Sequence, residues 1–314
     1  MRCVVIADGK LAVEERPDPE PGFGQLLVRV RAAGLNGADL LQLRGRYPAP
    51  PGEPADIPGL EIAGEVAATG PGCLRFRPGD RVMAIVGGGG QAELCVVHER
   101  ACMPVPSVLD WPEAGGFPEV FTTAHDALIT QAGLAPGEHL LVHGAAGGVG
   151  TAAVQLGAAV GARVTATVRD ERLRSAVAEL GAHTVVAPDE FLGKGPFDVV
   201  LELVGAPNMD ANVKALATGG RVVVIGVGAG AKFELNLLAL MAARGAIRGS
   251  TLRARPLEEK ALAMRGVERH VLPLVEARRV RVPVAATFPL ERVDEAYERF
   301  AAGGKLGKIV LTCD

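Results

Sequence analysis

Along the first third of the chain, apolar and polar positions alternate in short runs broken by glycine and proline. Met1–Ala7, Leu26–Ala33, Gly64–Ala68, Arg81–Val86 and Ala92–Val97 each read as a strand, with Pro17-Asp-Pro19 and Pro78-Gly-Asp80 as turns. This texture predicts an irregular, barrel-like β domain with few helices. From about Val120 the pattern changes. The apolar runs His139–His143, Ala162–Val168, Phe197–Leu203, Arg221–Gly226 and Gly245–Ser250 alternate with helical segments. That spacing predicts βαβ crossovers over a buried parallel sheet. Beyond Arg255 the pattern is helical over Pro256–Arg278, extended over Pro283–Phe288, helical over Leu290–Ala302 and extended over Gly307–Thr312. This tail is too short for a domain of its own, so we expect it to complete the first. One domain is expected from residues 1–119 and 255–314, and a second from residues 120–254.

Composition changes this picture little. The 314 residues are 48% apolar and 22% charged, too apolar for disorder and long enough for two cores. Thirty-three basic against 36 acidic side chains leave a net charge of −3, so nothing marks a nucleic-acid or anionic-membrane surface. Cys3, Cys73, Cys95, Cys102 and Cys313 form no CxxC pair and lack a histidine at ligand spacing. Neither a zinc lobe nor a disulfide framework is indicated. Residues 139–162 carry no Asp, Glu, Lys or Arg, yet six glycines with His143 and Gln155 make them a poor bilayer span. The N-terminus reads as a strand rather than a leader, and a cytoplasmic setting is expected.

The sharpest motif is His143-Gly-Ala-Ala-Gly-Gly-Val-Gly150, entered from strand Leu140–Val142 and followed by a helix to about Val160. Gly147 and Gly150 fill the second and third glycine positions of GxGxxG, and Ala145 the first. A small residue at 147 lets amides approach a pyrophosphate at the helix N-terminus, while Gly150 allows helix and strand to pack closely. Gly150, Ala153, Val154 and Gly157 give the helix one small-residue face. A dinucleotide is the expected ligand. The next strand ends on Thr167, where an NAD-binding fold places an acid for the ribose 2′-hydroxyl. Here Arg169 and Arg172 follow instead, which suits a 2′-phosphate and points to NADPH. Asp170 and Glu171 leave a plainer alternative, a solvated turn in which Arg172 pairs one of them.

In order along the chain stand Ala33-Gly-Leu-Asn-Gly-Ala-Asp39, Pro58-Gly-Leu-Glu-Ile-Ala-Gly-Glu-Val66, Pro78-Gly-Asp-Arg-Val82, Pro118-Glu-Val-Phe-Thr-Thr-Ala124, the glycine loop, and Gly249-Ser-Thr-Leu-Arg253. With these, essentially the whole chain resembles the zinc-free quinone oxidoreductase (zeta-crystallin-like) branch of the medium-chain dehydrogenase/reductase superfamily. The resemblance implies a GroES-like irregular β-barrel catalytic domain, a doubly wound Rossmann domain binding NADPH, and a homodimer made through the region Gly226–Ser250. It also implies cofactor contacts from Thr123, Ala146, Gly147, Gly148, Val149, Thr167, Arg169, Arg172, Gly205, Gly226, Val227, Ser250 and Leu252. Thr123 has a second reading as an N-cap.

The positions at which zinc-dependent relatives hold catalytic metal are, by motif, Asn36, Leu60 and Glu119. Leucine has no donor and an amide is a poor zinc ligand, so no metal is expected; Glu61 is retained without a ligand set to support. Without a metal to stabilise an alkoxide, alcohol oxidation is disfavoured. A quinone or electron-poor enone, whose added charge is delocalised, is the expected hydride acceptor, in the cleft the family has between its domains. Asn36, Asp39 and Tyr47 are the candidate catalytic residues. Each has a structural alternative: a turn for Asn36, an Arg partner for Asp39, and a loop aromatic capping the core for Tyr47. His125 and His143 read as satisfied core residues rather than acids. An enone or enoyl-thioester reductase, or a non-catalytic crystallin-like NADPH- or RNA-binding protein, are the other classes; the charge argues against RNA.

Overall fold

The computed structural model of the protein describes residues 1–313. The chain runs through β1 (Arg2–Ala7), β2 (Lys10–Glu15), β3 (Gln25–Gly34), α1 (Gly37–Leu43), β4 (Glu61–Thr69), β5 (Arg81–Ile85), β6 (Leu94–His98), β7 (Cys102–Pro104), α2 (Trp111–Gly115) and α3 (Pro118–His125). It continues through β8 (His139–Val142), α4 (Gly148–Val160), β9 (Arg163–Thr167), α5 (Arg174–Glu179), β10 (Thr184–Val186), β11 (Phe197–Glu202), α6 (Ala206–Lys214), β12 (Leu216–Val224), α7 (Leu237–Ala243) and β13 (Ala246–Gly249). The tail adds α8 (Leu257–His270), α9 (Leu272–Glu276), β14 (Val284–Pro289), α10 (Val293–Ala301) and β15 (Lys308–Thr312). Two compact units result. One holds Met1–Thr122, Leu252–Gly303 and the chain from Lys308; the other holds Thr123–Thr251 and Gly304–Gly307.

The first unit is a GroES-like fold around a seven-stranded sheet, with β14-β15-β3-β4-β5-β7 in order and β6 also paired to β3. Strand β3 shows the alternation that the sequence pattern predicts: Leu26, Val28 and Val30 are buried, and Arg29 between them is exposed. The tail enters this sheet, β15 pairing antiparallel with β3 and parallel with β14. A strand absent from the sequence reading, β2, closes a hairpin with β1 across Asp8 (φ 50°) and Gly9 (φ 72°). The Asp-Gly dipeptide was the available signal, because both turn positions need positive φ. The single helix expected over Pro256–Arg278 is two. Pro273 lies in the first turn of α9, where its missing N–H breaks the ladder.

The second unit is a Rossmann-like parallel sheet in the order β10-β9-β8-β11-β12-β13. Leu140, Leu141 and Val142 of β8 are all fully buried, as a parallel strand covered on both faces requires. Gly157 of α4 lies flat on this strand: a Cβ there would sit 2.6 Å from the Leu140 side chain. No helix of the described residues is long and apolar enough to cross a membrane.

Close backbone approach fixes at least one strand pair. A Cβ at Gly64 would lie 2.0 Å from the Arg29 carbonyl oxygen across the β3–β4 ladder. We predict that Gly64→Ala lowers folding stability by at least ~1–3 kcal/mol. Gly249→Ala, in a strand position with open space at Cβ, should change it by less than about 0.5 kcal/mol. Urea midpoints of the two variants test the contrast.

Candidate active site: a dinucleotide loop and a buried ammonium cluster

In the Rossmann-like unit, the glycine loop follows β8 at the point where strand order reverses, β9 lying on one side and β11 on the other. Gly144 takes positive φ (61°), and the Ala145 amide donates to the Thr167 carbonyl at 3.1 Å. At Gly150 a Cβ would stand 2.5 Å from the Gly144 carbonyl oxygen, so only glycine lets α4 start this close to the loop. Gly147 is the N-cap of α4 and no side chain caps it. The amides of Gly148 and Val149 in the first turn thus suit an anion, helped by the helix dipole. Residues 304–307 belong to this unit because the Gly307 amide donates to Ala146 O at 2.8 Å and pairs beside Gly147.

Behind the loop runs a buried polar chain. Asn212 Nδ2 donates to Glu202 Oε2 (2.7 Å), which turns its Oδ1 toward His143 Nε2 (2.7 Å). His143 Nδ1 therefore accepts from the Thr167 hydroxyl (3.0 Å). Burial lowers the His143 pKa, keeping it neutral in that tautomer. His143 and His125 are both buried, in keeping with core roles. The Thr167 hydroxyl is spent inward, leaving its carbonyl on the loop. Glu202 Oε1 also accepts from the Val204 and Gly205 amides, at 2.6 and 2.8 Å. Gly205 and Gly226 sit at the ends of β11 and β12, where a Cβ would meet Gly230 O at 2.5 Å and Leu203 O at 2.3 Å respectively. Val227 is exposed beside them. Thr123 is buried, the Ser250 hydroxyl accepts from Gln131, and Leu252 is buried in the other unit.

At the end of β9, Arg172 grips Asp170 through two nitrogens, Nε to Oδ1 at 3.0 Å and Nη2 to Oδ2 at 2.8 Å, the plainer of its two sequence readings. Arg169 stands exposed. Arg174, which the sequence reading passed over, is better placed than Arg172: it is half-buried and its Nε donates to Val168 O at 3.3 Å. Its signal was a third arginine within seven residues of the strand end.

In the GroES-like unit, one of the three metal-ligand positions, Asn36, binds an ammonium. Lys308, at the start of β15 and 2% exposed, donates to Leu35 O (2.6 Å), Asn36 Oδ1 (2.9 Å) and Glu61 Oε1 (2.6 Å). All three N–H donors are satisfied. Asn36 Nδ2 donates to Glu61 Oε1 at 2.9 Å, and the Glu119 amide to Glu61 Oε2 at 2.9 Å. Gly34 makes room, since a Cβ there would lie 2.5 Å from Glu61 Oε1. Lys308 was missed by sequence reasoning; its signal was a lone cation heading an apolar strand. The donor set does not fit zinc. Leu60 is buried and offers nothing, the Asn36 oxygen is occupied by Lys308, and a fixed ammonium repels a cation. Among the described residues no three His, Cys, Asp or Glu side chains cluster as a metal site.

Around this core lie Asp39, Tyr47 and Glu119. Asp39 is 1% exposed, and its two oxygens accept the Asn36 amide (2.7 Å) and the Gly59 amide (3.3 Å). It ties α1 to the strap before β4 and holds Asn36 in place. Burial pushes its pKa up to about 6 despite those bonds. Tyr47 is partly exposed and lies against Arg253, whose guanidinium carbon is 5.1 Å from the ring centroid. Arg253 donates to Tyr47 O (3.0 Å), Gly87 O (2.7 Å) and Gln42 Oε1 (2.7 Å), pinning the Tyr47 loop. Glu119, in the first turn of α3 and partly exposed, has its pKa pushed up to about 8, first by burial and then by Glu61.

A parallel-sheet dinucleotide fold and a GroES-like barrel carrying a polar cluster define a two-domain nicotinamide-dependent oxidoreductase. Residues 22–107 match the alcohol dehydrogenase GroES-like domain and residues 180–311 the zinc-binding dehydrogenase domain. The chain is 32% identical to human quinone oxidoreductase over 93% of its length and 90% of the relative's. It is 31% identical to an acryloyl-coenzyme A reductase of Metallosphaera sedula, over 99% of this chain and 100% of that one. An alcohol dehydrogenase superfamily protein from Novosphingobium aromaticivorans superposes with a TM-score of 0.88 at 28% identity, covering both chains fully. So does a mycobacterial protein solved with NADPH, at 26% identity and a TM-score of 0.88. The chain belongs to the medium-chain dehydrogenase/reductase family.

Two outcomes follow from the cluster. Lys308→Met strands the Glu61 carboxylate without its cation and should cost about 3–5 kcal/mol of stability. Adding Glu61→Gln should recover most of that loss, as read in urea denaturation of single and double variants. Asp39 supplies a pH effect. Its folded pKa, about 6, lies above the ordinary 3.8, so the folded state keeps a proton that the unfolded chain releases. Stability should therefore fall as pH rises from about 4 to 6, by on the order of 3 kcal/mol. Asp39→Asn should flatten that slope in a pH series of unfolding midpoints.

Proposed function

We propose that the protein is an NADPH-dependent, zinc-independent reductase of quinones. The observation that carries this reading is Lys308: its ammonium, with all three donors spent, takes the oxygen of Asn36, one of the metal-ligand positions, and the Leu60 position has no donor, so a metal that could polarise a simple ketone has no ligand set there. A quinone needs no such help because its ring delocalises the added charge. The relatives named quinone oxidoreductase support the same acceptor class. When bound, the reduced nicotinamide supplies a hydride to the acceptor. The amides of Ala146, Gly148 and Val149 and the α4 dipole would hold the pyrophosphate, with Gly147 giving it room to approach. Arg169 and Arg174 would meet the 2′-phosphate, and Arg172 would do so on leaving Asp170. Asn36 and Tyr47 would orient the acceptor, with Asp39 and Arg253 positioning them. Reduction of an enoyl thioester is the second reading, favoured by the full-length likeness to an acryloyl-coenzyme A reductase. We further propose a cytoplasmic homodimer joined at edge strand β13, next to exposed Leu237, Leu238 and Met241 of α7.

The test is NADPH oxidation, after exhaustive EDTA, over ortho- and para-quinones, enones and enoyl-coenzyme A esters. Turnover of quinones with full activity and no tightly held zinc is expected; activity that returns only with zinc overturns the reading. Faster turnover of enoyl thioesters than of any quinone selects the second. One charged hydrogen bond contributes about 1.5–3 kcal/mol, so Arg174→Ala or Arg169→Ala should weaken NADPH by roughly 10- to 100-fold. NADH binding should hold. A parent that prefers NADH refutes the cofactor assignment.

A further inference from the structure

We propose that Lys305 is a cofactor-binding residue, its ammonium meeting the pyrophosphate of the dinucleotide at the glycine loop. The proposal rests on the cofactor reading above and adds the cation that the loop itself lacks. The pyrophosphate is common to NADH and NADPH, so Lys305 serves either cofactor. Arg169 and Arg174, by contrast, are assigned to the 2′-phosphate alone.

The strap from Gly304 to Gly307, which belongs to the Rossmann-like unit, carries Lys305 to that loop. At one end the Gly307 amide donates to the Ala146 carbonyl at 2.8 Å, and Gly307 bridges in parallel to Gly147. At the other end Gly304 lies against the turn after β9, where a Cβ would stand 3.5 Å from Asp170 Oδ2. Gly304 and Gly307 both take positive φ, 59° and 76°. The chain can therefore turn at each contact with no side chain in the way. Lys305 follows the first contact directly. It is half-buried, and its Nζ donates to the Gly307 carbonyl oxygen at 2.7 Å. That bond holds the ammonium at the same residue whose amide is tied to the glycine loop.

The charge balance at the loop calls for such a group. The pyrophosphate of a dinucleotide carries two negative charges, and a helix N-terminus offers the equivalent of about half a positive one. From His139 to Ala162 there is no Lys or Arg. Burial lowers the pKa of His143, so that ring stays neutral. The loop and α4 thus supply amides and a dipole but no full charge. The arginines after β9 stand at the 2′-phosphate end, where Arg172 holds Asp170 and Arg174 donates to Val168 O. Lys305 reaches the loop from the opposite end of the chain, through Gly307. An ammonium is a compact point charge, so it can serve either phosphate without the fork geometry that an arginine imposes.

The experiment measures Kd for NADPH, NADH and 2′-AMP in the parent, Lys305→Met and Lys305→Arg, by nicotinamide fluorescence and calorimetry at low and high salt. Lys305→Met keeps the stem and removes the charge. It should weaken NADPH and NADH alike, by about 10-fold or more at low salt. Binding of 2′-AMP, which has no pyrophosphate, should stay within about twofold. The loss should shrink toward about 1 M salt, where the Debye length falls to ~3 Å. Lys305→Arg keeps the charge and should stay within about threefold of the parent. Unchanged affinity of Lys305→Met for both dinucleotides overturns the proposal alone. A loss confined to NADPH, or one shared by 2′-AMP, assigns the ammonium to the 2′-phosphate and also overturns it. So does a loss in Lys305→Arg as large as in Lys305→Met, which would trace the effect to the bond with Gly307 rather than to charge. A parent that binds neither dinucleotide overturns the cofactor reading and the proposal with it.

Discussion

The ion pair between Glu61 and Lys308 is the constraint on which the GroES-like unit depends. Both side chains are almost wholly buried, and Nζ lies 2.6 Å from Oε1. Two charges taken out of water cost more than they return unless every remaining donor and acceptor is matched. Here the match is complete on the lysine side and ties four segments together: β4 through Glu61, β15 through Lys308, the N-cap of α1 through Asn36, and α3 through the Glu119 amide. The pair also explains why Glu61 persists in a site with no ligand set for zinc. Its counter-charge is an ammonium rather than a metal. A cation fixed in a strand cannot leave, accept a substrate oxygen or acidify a water as a bound metal would.

Placing one cation among several carboxyl groups separates their acidities. Glu61 takes the ammonium directly. Asp39 holds two backbone amides, but burial still raises it to about 6, and Glu119, sharing the site with Glu61, is raised to about 8. Like charges a few ångströms apart in a dry environment do not all ionise together. At neutral pH Asp39 is then largely ionised and Glu119 largely protonated.

In the Rossmann-like unit the equivalent constraint is steric. Gly150, Gly205 and Gly226 each sit where a Cβ would fall within 2.5 Å of a carbonyl oxygen, so the loops at the strand ends close onto one another through backbone alone. The His143–Asn212–Glu202 chain then satisfies the polar groups that this closeness buries. It also turns the Thr167 hydroxyl inward, onto His143.

Local pattern was enough for the layout. Period-2 runs and Gly/Pro punctuation gave most strands of the first sheet, and continuous apolar runs gave β8, β9, β11, β12 and β13 of the second. The glycine loop was legible because its requirement, space for backbone, is written as glycine in the sequence itself. The strands that escaped notice, β2, β7 and β10, are short or polar and exist because a neighbour pairs with them. The candidate site was half legible. Asn36, Tyr47 and Asp39 stood in motifs, and Leu60 argued against zinc by lacking a donor. Lys308 and Arg253 stood far away in the chain, one heading an apolar strand and one ending a motif. No local rule brings residue 308 to residue 61 or residue 253 to residue 47. The sequence thus determined which groups were available, and that the Leu60 position carries no donor. Only the tertiary structure decided that Asp39 and Glu119 are pushed toward their protonated forms, because that depends on burial and on the sign of neighbours far away in the chain.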